Sequence, residues 1–157
     1  MVKIETVCQI LRDFELEPEV VDDAIYLKYE MKRLSIHLNE EDEDCENGGD
    51  KYVNVLFPAF YGVMEDEVAD VLVVCNKANR ELRQIKTFLS EDLDFVNSSF
   101  EFWYYNENDL RNSLKYALFM ISHVRNWFFR ELKNVQAESQ PVSEHYEPTA
   151  EDEFDDR

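Results

Sequence analysis

Apolar residues recur along this chain with two periods, and the switches between them mark out eight elements. Ile4, Val7, Cys8, Leu11 and Phe14 stand at helical spacing ahead of Pro18, which predicts a short amphipathic helix over 2–14. From Ala24 the period drops to two. Ile25, Leu27, Tyr29 and Met31 fall on one face, with Tyr26, Lys28 and Glu30 on the other. Leu34, Ile36 and Leu38 alternate in the same way, and so do Val53, Val55 and Phe57. The connections between these three strands are too short for a parallel crossover, so an antiparallel meander is expected.

Pro58 to Met64 interrupts the alternation, and Glu65-Asp66-Glu67 supplies the acids favoured in a first helical turn. Val68, Val71, Leu72, Cys75, Ala78 and Leu82 then follow at helical spacing. Residues 84–89 and 93–105 alternate again around a Ser90-Glu91-Asp92 turn, predicting a second hairpin. In its longer strand Val96, Phe100, Phe102 and Tyr104 share one face. Asn106 reads as an N-cap with Asp109 three positions on, opening the longest helix, 107–135. Its seam is Leu110, Leu114, Ala117, Ile121, Val124 and Phe128, while Tyr116, Phe119, Met120, Trp127 and Phe129 widen the apolar surface beyond that seam. The expected fold is therefore α+β, in the order α-β-β-β-α-β-β-α. It has a five-stranded antiparallel sheet with its helices packed mainly on one face.

Charge changes this picture less than its total suggests. The 157 residues carry 16 basic and 35 acidic side chains, a formal net charge of −19. Residues 40–50 hold seven acids and no base, and residues 136–157 hold eight acids and one base, Arg157, leaving 20 acids against 15 bases elsewhere. The reading is one mildly acidic domain over 1–135, with an acidic hairpin loop and a disordered acidic tail over 136–157. Tyr146 and Phe154 are the residues of that tail suited to docking on a basic groove. Such a chain repels phosphate, so neither nucleic acid nor an anionic membrane is expected as a partner.

Little in the sequence points to catalysis. The three glycines, 48, 49 and 62, form no phosphate-binding loop. Cys8, Cys45 and Cys75 never fall in a CxxC pair, and they read as reduced thiols of a cytoplasmic protein, with Cys8 and Cys75 in the core. Asp42, Asp44 and Glu46 alternate, but in an EF-hand register Asn47 would take the place of the turn glycine and Val53 that of the bidentate glutamate. His37, His123 and His145 have no metal-ligand spacing. An enzymatic reading rests on Glu101 alone, between Ser99 and Trp103 on one sheet face. No catalytic residue, cofactor or metal site is expected.

The stronger signal lies on the polar faces of the strands, where Tyr26, Leu56, Phe88 and Trp103 are apolar exceptions. With Trp127 and Phe129 of the last helix they form the expected protein-binding residues, suited to a peptide, a partner protein or a second subunit of a homodimer. The acidic loop supports an alternative role, an immunity or antitoxin-type inhibitor of a basic enzyme.

The stretch Val73-Val74-Cys75-Asn76-Lys77-Ala78-Asn79-Arg80, followed by Gln84-Ile85-Lys86-Thr87-Phe88-Leu89 and the long strand and helix beyond, resembles the YbjN family. The resemblance implies a fold similar to the type III secretion chaperones and a role as a sensory-transduction regulator or chaperone-like binding protein, with no catalytic residues carried over. The acidic loop and tail depart from that pattern. Asn76 and Asn79 are expected near the end of the second helix, where their amides can reach free carbonyls or the following strand.

Overall fold

Residues 4–38 and 52–139 are described by the computed structural model; the acidic hairpin loop, Cys45, His145 and the acidic tail from residue 140 onward lie outside them. Within them the alternating segments form one antiparallel sheet of six strands, ordered β1-β2-β3-β4-β6-β5. The strands are β1 (Glu19–Val21), β2 (Ala24–Tyr29), β3 (Lys32–Leu38), β4 (Tyr52–Gly62), β5 (Ile85–Leu89) and β6 (Phe95–Trp103). The helices are α1 (Ile4–Asp13), α2 (Val68–Glu81) and α3 (Glu107–Ser139), with a short 3-10 turn over Glu65–Glu67 leading into α2.

The sheet thus has six strands where the alternation predicts five. The extra one, β1, pairs Glu19, Val20 and Val21 with Tyr26, Ile25 and Ala24. Three residues after a proline are too few for alternation to register. Two other expectations are corrected. Met31 is 95% exposed rather than on the core face, because Glu30 and Met31 both adopt positive φ and close the β2–β3 hairpin between Tyr29 and Lys32. β4 does not end at Pro58 but runs on to Gly62 through an irregularity between Phe57 and Tyr61, where Ala59 has φ 47° and its N–H is taken by the Asn97 side chain at 2.8 Å.

One face of the sheet meets all three helices. Ile25, Ile36, Val55, Phe100 and Ile85 are successive cross-strand partners running from β2 to β5 along that face. They share a single core with Val7 and Leu11 of α1, Val71 and Val74 of α2, and the expected α3 seam from Leu110 to Phe128, every member of which is buried. Cys8 and Cys75 are buried in the same core as free thiols. In α2, Val74 replaces Leu72 on the buried side, and Leu72 is exposed. Asn106 caps α3 as expected, its side chain accepting the Asp109 N–H at 2.9 Å, while the Asp109 carboxylate accepts the Tyr105 N–H. α3 continues to Ser139, four residues past its expected end.

Two local devices carry predictions. Asn79 clasps the outer edge of β5: its amide donates to the Thr87 carbonyl at 3.0 Å and accepts the Thr87 N–H at 2.7 Å, as a neighbouring strand would. Asn79→Ala leaves both backbone groups of the buried Thr87 without that partner, so equilibrium denaturation is expected to show a loss of about 2 kcal/mol. α1 ends in a Schellman motif, in which the Leu16 N–H bonds the Leu11 carbonyl and the Glu15 N–H bonds the Arg12 carbonyl. Glu15 therefore occupies the left-handed position with φ 63°, where glycine is the favoured residue. Glu15→Gly is expected to stabilise the fold by about 1 kcal/mol, measured in the same way.

Candidate protein-binding surface

The register that buries one face of the sheet presents the other side chains on a face that no helix among the described residues covers. Its longest row crosses all six strands: Glu19, Tyr26, Ser35, Leu56, Ser99 and Lys86 are successive neighbours from β1 to β5. Ser35 and Ser99 are buried between their larger neighbours, Tyr26 is exposed and Leu56 is partly so. The next row reads Val21, Ala24, His37, Asn54 and Glu101, and beyond it Tyr52 pairs with Trp103.

The four apolar exceptions expected on this face do lie on it, but they do not form one patch. Tyr26 and Leu56 share a row across Ser35. Trp103 lies two rows away toward the start of β4. Phe88 lies toward the opposite end, opposite Asn97, and diagonal to the exposed Phe95, which strand alternation places on the same face. Trp103 is 57% exposed, with its ring centroid 5.0 Å from that of Tyr52. The face therefore has two aromatic ends joined by a middle in which Tyr26 and Leu56 stand among small and polar side chains.

The polar middle is organised around Glu101. Its carboxylate accepts hydrogen bonds from Lys86 and Tyr52, and the Lys86 ammonium pairs with it directly. Partial burial pushes the Glu101 carboxyl up, but the hydrogen bonds from Lys86 and Tyr52 and the Lys86 charge outweigh it and hold the group below the ordinary carboxylate range. Burial and the bond to Glu101 push the Tyr52 hydroxyl in the other direction, up to about 12. Next to this pair, Asn54 Oδ1 is buried without a hydrogen-bond donor among the described residues. His37 is engaged by Ser35 at 3.0 Å, and His123 donates from Nδ1 to the Phe119 carbonyl at 2.7 Å, so each of these imidazoles has a local partner. Among the described residues no group of three or more His, Cys, Asp or Glu side chains is placed to hold a metal ion.

The two helical residues expected to bind a partner are only half exposed. Trp127 packs against the core, and Phe129 meets the Tyr61 ring edge-on at 5.3 Å beneath the Arg125 guanidinium. The aromatic residues that α3 leaves most open are Tyr116 and Phe119. A polar cluster not foreseen from the sequence fastens the far end of α3. Glu67 accepts hydrogen bonds from the Tyr61 hydroxyl at 2.9 Å and from the Gln136 amide at 3.0 Å, and Lys77 pairs with Glu131. These residues are far apart in the chain and fit no spacing rule, so only the packing of α2 against α3 reveals them.

Comparison with known proteins places the fold. No family model matches the chain, and no curated protein matches it. The crystal structure of YbjN, a candidate transcription regulator from E. coli, superposes with a TM-score of 0.60 at 12% sequence identity, covering 87% of this chain and 93% of that one. At that identity the two share architecture, and the chain has the α+β fold seen in YbjN.

Proposed function

We propose that the protein is a non-enzymatic binding module that holds a peptide or partner protein on the uncovered face of its sheet, and that it regulates or chaperones the partner by holding it. One observation carries this reading: three helices pack on a single face of a six-stranded sheet, so among the described residues no helix covers the opposite face, which carries Tyr26, Leu56, Phe88 and Trp103. Aromatic residues spaced across a polar field suit a partner that buries a few anchors and pairs the groups between them. Glu101 fits the same role. A carboxylate held ionised by Lys86 and Tyr52 serves as a fixed charge rather than as a proton donor near neutral pH.

We further infer that a second copy of the chain is one occupant of this face. The resemblance to a regulator fits action through protein contact, since a net charge of −19 opposes a phosphate-binding surface. We place the protein in the cytoplasm, supported by two buried free thiols; none of the described helices is long and apolar enough to cross a membrane.

Trp103→Asp and Leu56→Asp test the assignment. Both side chains are partly exposed, so the fold should survive, as circular dichroism would show. Affinity capture from the native source should lose its partner by more than about tenfold, as expected of an anchor residue, and light scattering should show a dimer becoming a monomer. Capture undiminished by either substitution would contradict the binding face, and a wild-type chain that stays monomeric at high concentration would remove the homodimer.

A further inference from the structure

A groove of about 720 Å³ opens beside the binding face, between the segment that follows α1 and the β2–β3 hairpin. Its origin lies in two competing constraints on that segment. Extending the β1–β2 register back from the Glu19–Tyr26 pair would set Glu17 opposite Lys28. The Schellman motif instead ties Glu15 and Leu16 to α1, and Pro18 removes a ladder donor, so the chain peels away from β2. The β2 edge from Leu27 to Tyr29 is left without a strand beside it on that side among the described residues.

The walls of the groove carry opposite charges that do not meet. Lys28 and Arg33 are direct cross-strand neighbours on one side, an unfavourable like-charge pair, and neither pairs with a carboxylate among the described residues. Glu15, Glu17 and Glu19 line the other side and are likewise without ion pairs among those residues. Leu16 supplies the accessible apolar surface, since Leu27 and Leu34, which also border the groove, are 4% and 1% exposed and turn to the core face. A phosphate or nucleic acid would meet three carboxylates, and these do not converge into a metal-holding group. An extended chain bearing both signs of charge satisfies every wall.

We propose that this groove takes an extended peptide segment of a partner protein, added along the open edge of β2. An apolar side chain of the peptide seats on Leu16, an acidic one lies against Lys28 and Arg33, and a basic one faces Glu15 and Glu17. Strand addition supplies main-chain bonds, while alternating side chains supply selectivity. The inference deepens the binding role proposed above by naming the partner chemistry at the Tyr26 end of the face.

The test uses the full-length chain labelled with nitrogen-15 and an acetylated, amidated heptapeptide of sequence Glu-Val-Lys-Leu-Glu-Val-Lys. Two control peptides carry glutamine in place of either every lysine or every glutamate. Amide shifts are expected at residues 15–19 and 26–34. Affinity should fall about tenfold for either control peptide and for the Lys28→Glu, Arg33→Glu double variant, the scale of a lost charge pair. Glu15→Gly, expected to stabilise the fold, should nonetheless weaken the peptide. That outcome separates lost recognition from lost folding.

Equal binding of the control peptides overturns the proposal. So does a shift of the groove residues on deleting residues 140–157, which would assign the groove to the chain's own acidic end. Shifts at Leu56 and Trp103 without shifts at residues 15–19 overturn the groove and leave the binding face standing, whereas shifts at neither at millimolar peptide overturn both.

Discussion

Truncating Phe128 to alanine is expected to cost about 4 kcal/mol of folding stability, the upper part of the range for removing a buried ring. Phe128 is fully buried and joins two elements distant in sequence. Its ring meets Phe60 edge-on at 5.4 Å and Tyr61 at 5.4 Å, so α3 is held against the part of β4 that follows the irregularity. Neighbouring side chains are anchored by the Glu67 network and by the Phe129 contact with Tyr61, and they have little freedom to collapse into the space. Against a total stability of roughly 5–15 kcal/mol for a domain, such a loss removes a large share. Guanidinium denaturation at neutral pH checks it, and a change below about 1 kcal/mol would mean that α3 does not pack on β4 at this point.

A comparable loss is expected on raising the pH. The Tyr52 and Tyr61 hydroxyls are both pushed up to about 12, by burial first and then by their bonds to Glu101 and Glu67. Burial likewise pushes the Cys75 thiol up to about 11. A group whose folded pKa lies above its unfolded value keeps its full contribution below the unfolded pKa and loses it as pH rises through the folded one. Below about pH 9 the two tyrosines are protonated in both states and contribute no slope, whereas the Cys75 thiol, ordinary value 9.0, already begins to ionise in the unfolded state. Between about pH 10 and 12 the unfolded tyrosines ionise first, and stability falls by about 2 kcal/mol for each. Denaturation midpoints from pH 8 to 12 should therefore drop steeply. In the Tyr52→Phe, Tyr61→Phe double variant the drop should shrink by more than half, although the variant starts less stable through the lost hydrogen bonds. A wild-type curve flat to pH 12 would show both hydroxyls open to water.

The parts of this architecture that were legible in the sequence are those in which burial enforces a period. Every residue of the α3 seam is buried, and the even positions from Val96 in β6 to Tyr104 just beyond its end are buried while Trp103 and Tyr105 are exposed. The parts that were not legible turn on backbone conformations that the residue types conceal. With three glycines in the whole chain, left-handed positions among the described residues fall to Glu15, Asp22, Glu30, Met31, Ala59, Gln84 and Leu93. Glu30-Met31 carries none of the Asn-Gly signal of a two-residue hairpin, so Met31 reads as strand. Ala59 hides a bulge inside what Pro58 announces as a break.

The candidate surface was legible for a related reason. Tyr26, Leu56, Phe88 and Trp103 break the alternation of their strands, which fixes their face but not their separation. Distance along a sheet comes from register, and the register of β4 with β6 is set by the irregularity between Phe57 and Tyr61. Trp127 and Phe129 flank the buried Phe128 and are half covered, because Phe129 meets Tyr61 on one side of α3 and Trp127 meets the core on the other.

Site-specific photo-crosslinking compares the two faces of the molecule in one experiment. With a benzoylphenylalanine in place of Trp103 on the open sheet face, and separately in place of Leu72 on the exposed side of α2, the native partner or a second copy of the chain should be captured from position 103 and not from position 72. Capture from position 72, or from Phe119 replaced in the same way, with none from position 103 would contradict the assignment of the open sheet face as the binding surface.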